Sequence, residues 1–139
     1  MFWDSSAVVP LFLPEARSEF LAEMLANDAE AASWWATPVE CLSAFYRRHR
    51  QTPFQDTALR EALQRLEAFS EDVDLVAPTD PVRRRAGRLL AVHPLRAGDA
   101  LQLAAALIWC EEQPEGEVFM CVDGRLAQAA RTEGFDVRP

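Results

Sequence analysis

The chain contains no lysine: all 14 of its basic residues are arginine. That absence excludes Schiff-base chemistry, the phosphate-binding lysine of a P-loop and the buried lysine of a receiver domain. Cysteine is scarce as well. The three cysteines, Cys41, Cys110 and Cys121, are odd in number and far apart in sequence. No CxxC pair occurs, and only His49 and His93 are available to join them. Neither a structural zinc site nor a disulfide framework is expected, which favours a reducing, cytoplasmic setting. Glycine is limited to 5 residues and there is no low-complexity tract. The opening residues, Met1-Phe2-Trp3-Asp4-Ser5-Ser6, lack the basic and then apolar regions of a secretion signal. The longest nearly apolar run, Ala100 to Cys110, is interrupted by Gln102. It falls well short of the roughly 20 residues that cross a bilayer. A buried core helix is the expected use of that run, and no membrane association is expected.

What is present is the material of one soluble domain, taken as residues 1–139. Half of the 139 residues are hydrophobic and 26% are charged, with a net charge of -8. Phe2-Trp3 reads as a short strand running into Asp4, with Ser5 or Ser6 able to cap a helix through Val8, Val9, Leu11 and Phe12. Pro14 is expected to begin a second helix that places Phe20, Leu21, Met24 and Leu25 at helical spacing. Ala31–Trp35 reads as a buried strand, followed by a helix from Thr37 that Thr52-Pro53 breaks. Leu59, Leu63 and Leu66 then line one stripe of an amphipathic helix over Asp56–Phe69. A strand follows at Val73–Val76, then a helix opened by Asp80-Pro81 and the apolar helix from near Asp99. Glu117–Val122 reads as a strand and Leu126–Thr132 as a helix stopped by Gly134. Phe135–Val137 makes a last strand. Strands alternating with more abundant helices predict an α/β fold: a short parallel sheet flanked by helices on both faces.

In such sheets ligands bind beyond the carboxyl ends of the strands. Acids stand at or near those ends. Asp4 follows the first strand, Glu40 lies about a turn into the helix after the second, and Asp123 follows the Glu117–Val122 strand. Asp99 opens the apolar helix. Each has an ordinary reading too. Thr37-x-x-Glu40 is a capping box, Asp99 complements a helix dipole, and Asp123 before Gly124 is a turn or cap residue. The four taken together carry the functional reading. Two carboxylates about 5 Å apart repel by about 3 kcal/mol at an effective dielectric near 20. Such a cluster persists when a cation fills it or when some acids are protonated. Oxygen-only donors suit Mg²⁺ or Mn²⁺, which can activate water and neutralise a phosphoryl oxygen.

These residues resemble the PIN domain, and within it the VapC-type toxin ribonucleases of toxin–antitoxin pairs. The resemblance rests on Phe2-Trp3-Asp4-Ser5-Ser6-Ala7, on Thr37-Pro38-Val39-Glu40, on Leu95-Arg96-Ala97-Gly98-Asp99-Ala100-Leu101-Gln102-Leu103-Ala104, and on Phe119-Met120-Cys121-Val122-Asp123-Gly124-Arg125-Leu126. It implies that Asp4, Glu40, Asp99 and Asp123 are catalytic, metal-binding carboxylates, with the Ser6 hydroxyl hydrogen-bonding near the first acid. It implies endoribonuclease activity with Mg²⁺ or Mn²⁺, a homodimer, and inhibition by a cognate antitoxin whose tail lies across the active site. Two positions depart from the family pattern. Cys121 stands where a Thr or Ser is frequent, which bears on the support of Asp123, and Gly98 stands where Ala is frequent, which bears on the helix start.

The negative net charge is unusual for a nuclease, because phosphate binding favours a positive face. Arg96 and Arg125 are the substrate-phosphate candidates, being nearest the acids in sequence. The clusters Arg47-Arg48-His49-Arg50 and Arg83-Arg84-Arg85 with Arg88 read first as solvated helix faces. Trp34, Trp35 and Trp109 read as core or interface residues rather than base-stacking platforms. The rival functions are a catalytically silent PIN-like binding module and a metal-dependent phosphatase or DNA nuclease on a similar sheet.

Overall fold

The computed structural model describes residues 1–53 and 55–139. Its first strand, β1 (Phe2–Trp3), leads through α1 (Ser5–Phe12) and α2 (Ser18–Ala26) to β2 (Ala32–Trp34). Two longer helices follow, α3 (Thr37–Gln51) and α4 (Asp56–Asp72), and then β3 (Asp74–Val76). The second half runs α5 (Asp80–Val92), α6 (Ala97–Trp109), β4 (Val118–Met120), α7 (Gly124–Glu133) and β5 (Asp136–Arg138). All five strands are parallel, in the order β3-β2-β1-β4-β5. The expected α/β architecture is therefore what the chain adopts.

Strand periodicity decides what packs where. Successive side chains of a strand point to opposite faces. Phe2 and Phe119, which are register partners, face one side and stack with ring centroids 5.6 Å apart. They join Ala32, Leu89, Leu103 and Leu107 in a core beneath α5, α6 and α7. Trp3 and Met120, the next register pair, face the other side and meet Ala7, Leu21, Cys41, Phe45 and Leu66 from α1 to α4. The Ala100–Cys110 run is used as expected, its residues from Leu103 to Leu107 almost wholly inaccessible to solvent within α6. Among the described residues no helix is long and apolar enough to cross a membrane.

Several boundaries differ from the sequence expectation. Neither Ser5 nor Ser6 caps α1; Asp4 does, its carboxylate accepting the Ser6 N–H at 2.9 Å. The strand ends one residue earlier than a serine cap needs, and the acid takes the place. Helix α2 starts at Ser18 rather than Pro14, because the Ser18 hydroxyl accepts the Glu15 N–H and donates to the Pro10 carbonyl, fixing the connection as a turn. Strand β2 stops at Trp34, which is buried, whereas Trp35 is 55% exposed and so is not a core residue.

Candidate active site

The chain crosses from one half of the sheet to the other between β1 and β4, and their carboxyl ends form the topological switch point where open α/β sheets bind ligands. A cleft of about 460 Å³ opens there. Asp4, Glu40, Asp99 and Asp123 all line it, with Ser5, Ser6, Val9, Glu15, Ser43, Ala44, Arg47 and Arg48. Four acids from four separate segments thus share one cavity.

Each acid is held by a different device. Asp4 follows β1 directly; its N–H donates to the Met120 carbonyl at 3.0 Å, tying it to β4, and its side chain is only 2% exposed. Burial raises its carboxyl pKa, the Ser6 hydroxyl and amide hold it down in part, and Glu40 and Asp99 raise it further, giving a value of about 6. Glu40 does not close a capping box with Thr37. The Thr37 hydroxyl pairs instead with Gln102, and Gln102 Nε2 donates to Glu40 Oε2 at 2.9 Å. Asp99 sits in the first turn of α6 and accepts the Arg96 N–H at 3.3 Å. Asp123 caps α7, one oxygen accepting the Arg125 and Leu126 N–H groups, each at 2.9 Å. Asp99 and Asp123 therefore perform their ordinary helix-start roles while still facing the cleft.

Ser6 reaches across the switch point. Its hydroxyl accepts the N–H groups of Val122 and Asp123, at 2.9 and 3.1 Å. It fixes the backbone at the last acid as well as lying beside the first. Cys121 fills the space between them, its sulfur 3.7 Å from Asp4 Oδ2 and 3.4 Å from the Asp123 carbonyl. Burial, and then the neighbouring Asp4 charge, push the Cys121 thiol well above its ordinary range, so it stays protonated and donates rather than attacks.

The pattern of the PIN domain matches residues 1–131. The chain belongs to the PIN-domain family. It is 31% identical over 140 residues to Ribonuclease VapC45 of Mycobacterium tuberculosis strain CDC 1551 / Oshkosh, covering 100% of this chain and 94% of that protein. The same identity and coverage hold for Ribonuclease VapC49 of strain ATCC 25618 / H37Rv. Similarity from end to end places this PIN domain in the VapC branch.

The donor chemistry of the PIN cleft fits a hard divalent ion. Its acids offer only oxygen, and Asp4 is a buried carboxyl whose proton is favoured by burial and by two neighbouring acids, a cost that a cation removes. Among the described residues no three His, Cys, Asp or Glu side chains already stand as a closed metal site.

Arg96, the N-cap of α6, and Arg125, in the first turn of α7, are exposed and do not line the cleft, whereas Arg47 and Arg48 do. Gln102 and Thr37 support Glu40 without standing at a strand end that would mark them in the sequence. The available signal was a lone amide inside an otherwise apolar helix, because a buried polar side chain needs a partner. A cavity of about 600 Å³, larger than the acidic cleft, lies on the other side of Arg48, with Phe12, Leu13, Ala58 and Ala62 in its wall. It lacks convergent acids, so the smaller cleft is the candidate for chemistry.

Gly98 has a simple role. A Cβ at this position would meet Glu40 Oε1 at 3.8 Å, an ordinary contact. Gly98→Ala is therefore expected to stabilise the start of α6 by about 0.5–1 kcal/mol through lost unfolded-state entropy. Urea denaturation checks this; a loss of stability would mean that Glu40 cannot tolerate the methyl group.

Proposed function

We propose that the protein is a Mg²⁺- or Mn²⁺-dependent endoribonuclease that acts as the toxin of a type II toxin–antitoxin pair. The observation carrying this reading is the convergence of Asp4, Glu40, Asp99 and Asp123 on one cleft at the sheet's switch point. The ribonuclease names of its full-length relatives support the substrate class. In this reading Asp4, Asp99 and Asp123 hold the ion. When bound, the ion lowers the pKa of a water and neutralises charge on the phosphoryl oxygen. Glu40, oriented by Gln102, positions the attacking water for in-line attack, with the RNA 3′ oxygen leaving. Ser6 keeps Asp123 and Asp4 in register across β1 and β4. No nucleophilic side chain is needed, in keeping with the protonated Cys121.

The partners that follow are an RNA substrate, a cognate antitoxin and a second copy of the chain in a cytoplasmic setting. A net charge of -8 suits a basic antitoxin segment. Val39 and Tyr46, one above the other on the outer side of α3 and 64% and 43% exposed, supply apolar surface for a homodimer.

Incubation of the purified protein with RNA and Mn²⁺ tests the chemistry. Cleavage is expected with Mn²⁺ or Mg²⁺, none with chelator, and a fall of about 10²-fold or more in Asp99→Asn. Undiminished cleavage by Asp99→Asn would remove that residue from the site. Cleavage of DNA but not RNA would favour the DNA-nuclease rival, and absence of Mn²⁺ binding would favour an inert module.

A further inference from the structure

The acidic cleft carries a polarity that four carboxylates do not explain. Glu40, Ser43, Ala44, Arg47 and Arg48 all line it, and they recur at the i, i+3, i+4, i+7, i+8 spacing of one helix face along α3. At 1.5 Å per residue, Arg47 stands roughly 10 Å along the axis from Glu40. One end of the cleft is therefore acidic, and the other carries Arg47 and Arg48, among the described residues the only cationic side chains in its lining. The two arginines differ. Arg47 is exposed and, among the described residues, has no ion pair. Arg48 is bonded through Nη2 to the carboxylate of Glu15, which reaches into the same cleft from the turn between α1 and α2. That turn is itself fixed by Ser18, which accepts the Glu15 N–H and donates to the Pro10 carbonyl.

A chain with net charge -8, presenting acids to a polyanion, needs local positive charge beside the point of attack. We infer that Arg47 and Arg48 form the binding site for an RNA backbone phosphate next to the scissile one, and that Glu15 occupies Arg48 as a phosphate substitute until RNA displaces it. The inference rests on the ribonuclease reading for its substrate. The offset of seven and eight residues along α3 from Glu40 favours a neighbouring phosphate over the reacting one. Both a carboxylate and a phosphate oxygen match the arginine fork, so the Glu15–Arg48 pair and RNA compete for one donor set. Rim-exposed pairs of this kind are weak enough to exchange.

Binding of a fluorescein-labelled, mixed-sequence single-stranded RNA to the full-length Asp99→Asn protein in Mg²⁺ buffer, followed across salt concentrations, separates the contributions. Adding Arg47→Gln is expected to weaken binding about 5- to 10-fold at low salt and to lower the slope of log affinity against log salt by about 0.7, one single-strand phosphate contact. Adding Glu15→Gln is expected to tighten binding several-fold, and the gain is expected to vanish when Arg48→Gln is added too. Arg131→Gln, an exposed arginine in the last turn of α7 and away from the cleft, makes the same charge change and serves as control. Equal losses from Arg47→Gln and Arg131→Gln, unchanged or weaker binding in Glu15→Gln, or no RNA binding by the parent would each overturn the inference. Salt-dependent binding with the expected variant pattern, but no cleavage by the wild-type chain, would instead defeat the ribonuclease reading and leave Arg47 and Arg48 as an RNA-phosphate site masked by Glu15, with no scissile phosphate beside it.

Discussion

Asp4→Asn is expected to make the metal-free protein more stable while removing its RNA cleavage. Asp4 is buried, and its carboxyl is pushed from 3.8 to about 6, first by burial and further by Glu40 and Asp99. The folded state therefore favours the protonated form. Between pH 3.8 and about 6 it holds a proton that the unfolded chain has lost, so stability falls as pH rises through this window. Above about pH 6 the whole cost of holding a bare carboxylate remains, on the order of 3 kcal/mol from the size of the shift. Asparagine keeps an oxygen to accept the Ser6 N–H and cap α1 but carries no charge. Metal-free Asp4→Asn should gain about 1–3 kcal/mol at pH 8, a rise of several degrees in Tm for a chain of this size.

The difference between variant and wild type should shrink below pH 6 and vanish near pH 4. On the proposed metal-binding reading, Mn²⁺ should reverse the order, because the wild type would gain stability from a bound ion and the variant would lack one of its carboxylates. Cleavage should drop by about 10²- to 10³-fold, the scale of removing one stabiliser of transition-state charge. Thermal melts from pH 4 to 8, with and without Mn²⁺, check the first part. A variant no more stable than wild type at pH 8 without metal would show that Asp4 carries no excess cost, and the strongest physical sign of a cation site would be lost.

The same residue shows how far the sequence could be read. Asp4, Glu40 and Asp123 are legible because each stands near a change of period, from strand alternation to helical spacing, and such changes mark sheet edges; Asp99 is legible as the one acid opening an almost wholly apolar helix. The overall order of strands and helices is legible for the same reason. Which of Asp4, Ser5 and Ser6 caps α1 is not, since all three are good caps and the choice depends on where pairing with β4 ends. The start of α2 was hidden because Pro14 is a good first helical residue, and only the Ser18 contacts exclude it. Arg96 and Arg125 are nearest Asp99 and Asp123 in sequence but do not line the cleft. The arginines that line the cleft come from α3, whose i+7 and i+8 positions bring Arg47 and Arg48 onto the face of Glu40. Cys121, which departs from the family pattern, is accommodated because its thiol still reaches Asp4 and the Asp123 carbonyl.

Glu133→Ala is expected to cause a large loss of stability without touching the cleft. Helix α7 begins at the cleft, after Asp123, and runs back along the same face of the sheet to end at Glu133, by the amino ends of the strands. There one Glu133 oxygen accepts from Arg85 Nη2 at 2.6 Å and the other from His93 Nε2 at 2.7 Å. Arg85 also donates through Nε to Glu112 at 3.0 Å, so one network links α5, the connection after it, the turn that follows α6, and α7. His93 and Arg85 are 7% and 18% exposed in their side chains, which leaves water little access when their partner is removed. Losing a mostly buried acceptor shared by two donors costs about 2–3 kcal/mol, more than either hydrogen bond alone, because His93 Nε2 is left without its acceptor and Arg85 keeps only Glu112. Burial raises the Glu133 carboxyl pKa, but the bonds from His93 and Arg85 outweigh it and hold the group below 4.5. Its contribution is therefore fully present above 4.5 and is lost as pH falls through the lower folded value. Urea denaturation at pH 7 should show the full difference between Glu133→Ala and wild type, and the difference should narrow on acidification below pH 4.5. The Tm gain on adding Mn²⁺ should be the same in both proteins, since no cleft residue has changed. A loss under about 0.5 kcal/mol, within the range of ordinary surface substitutions, would mean that solvent replaces the carboxylate and that the helix ends are held by apolar packing alone.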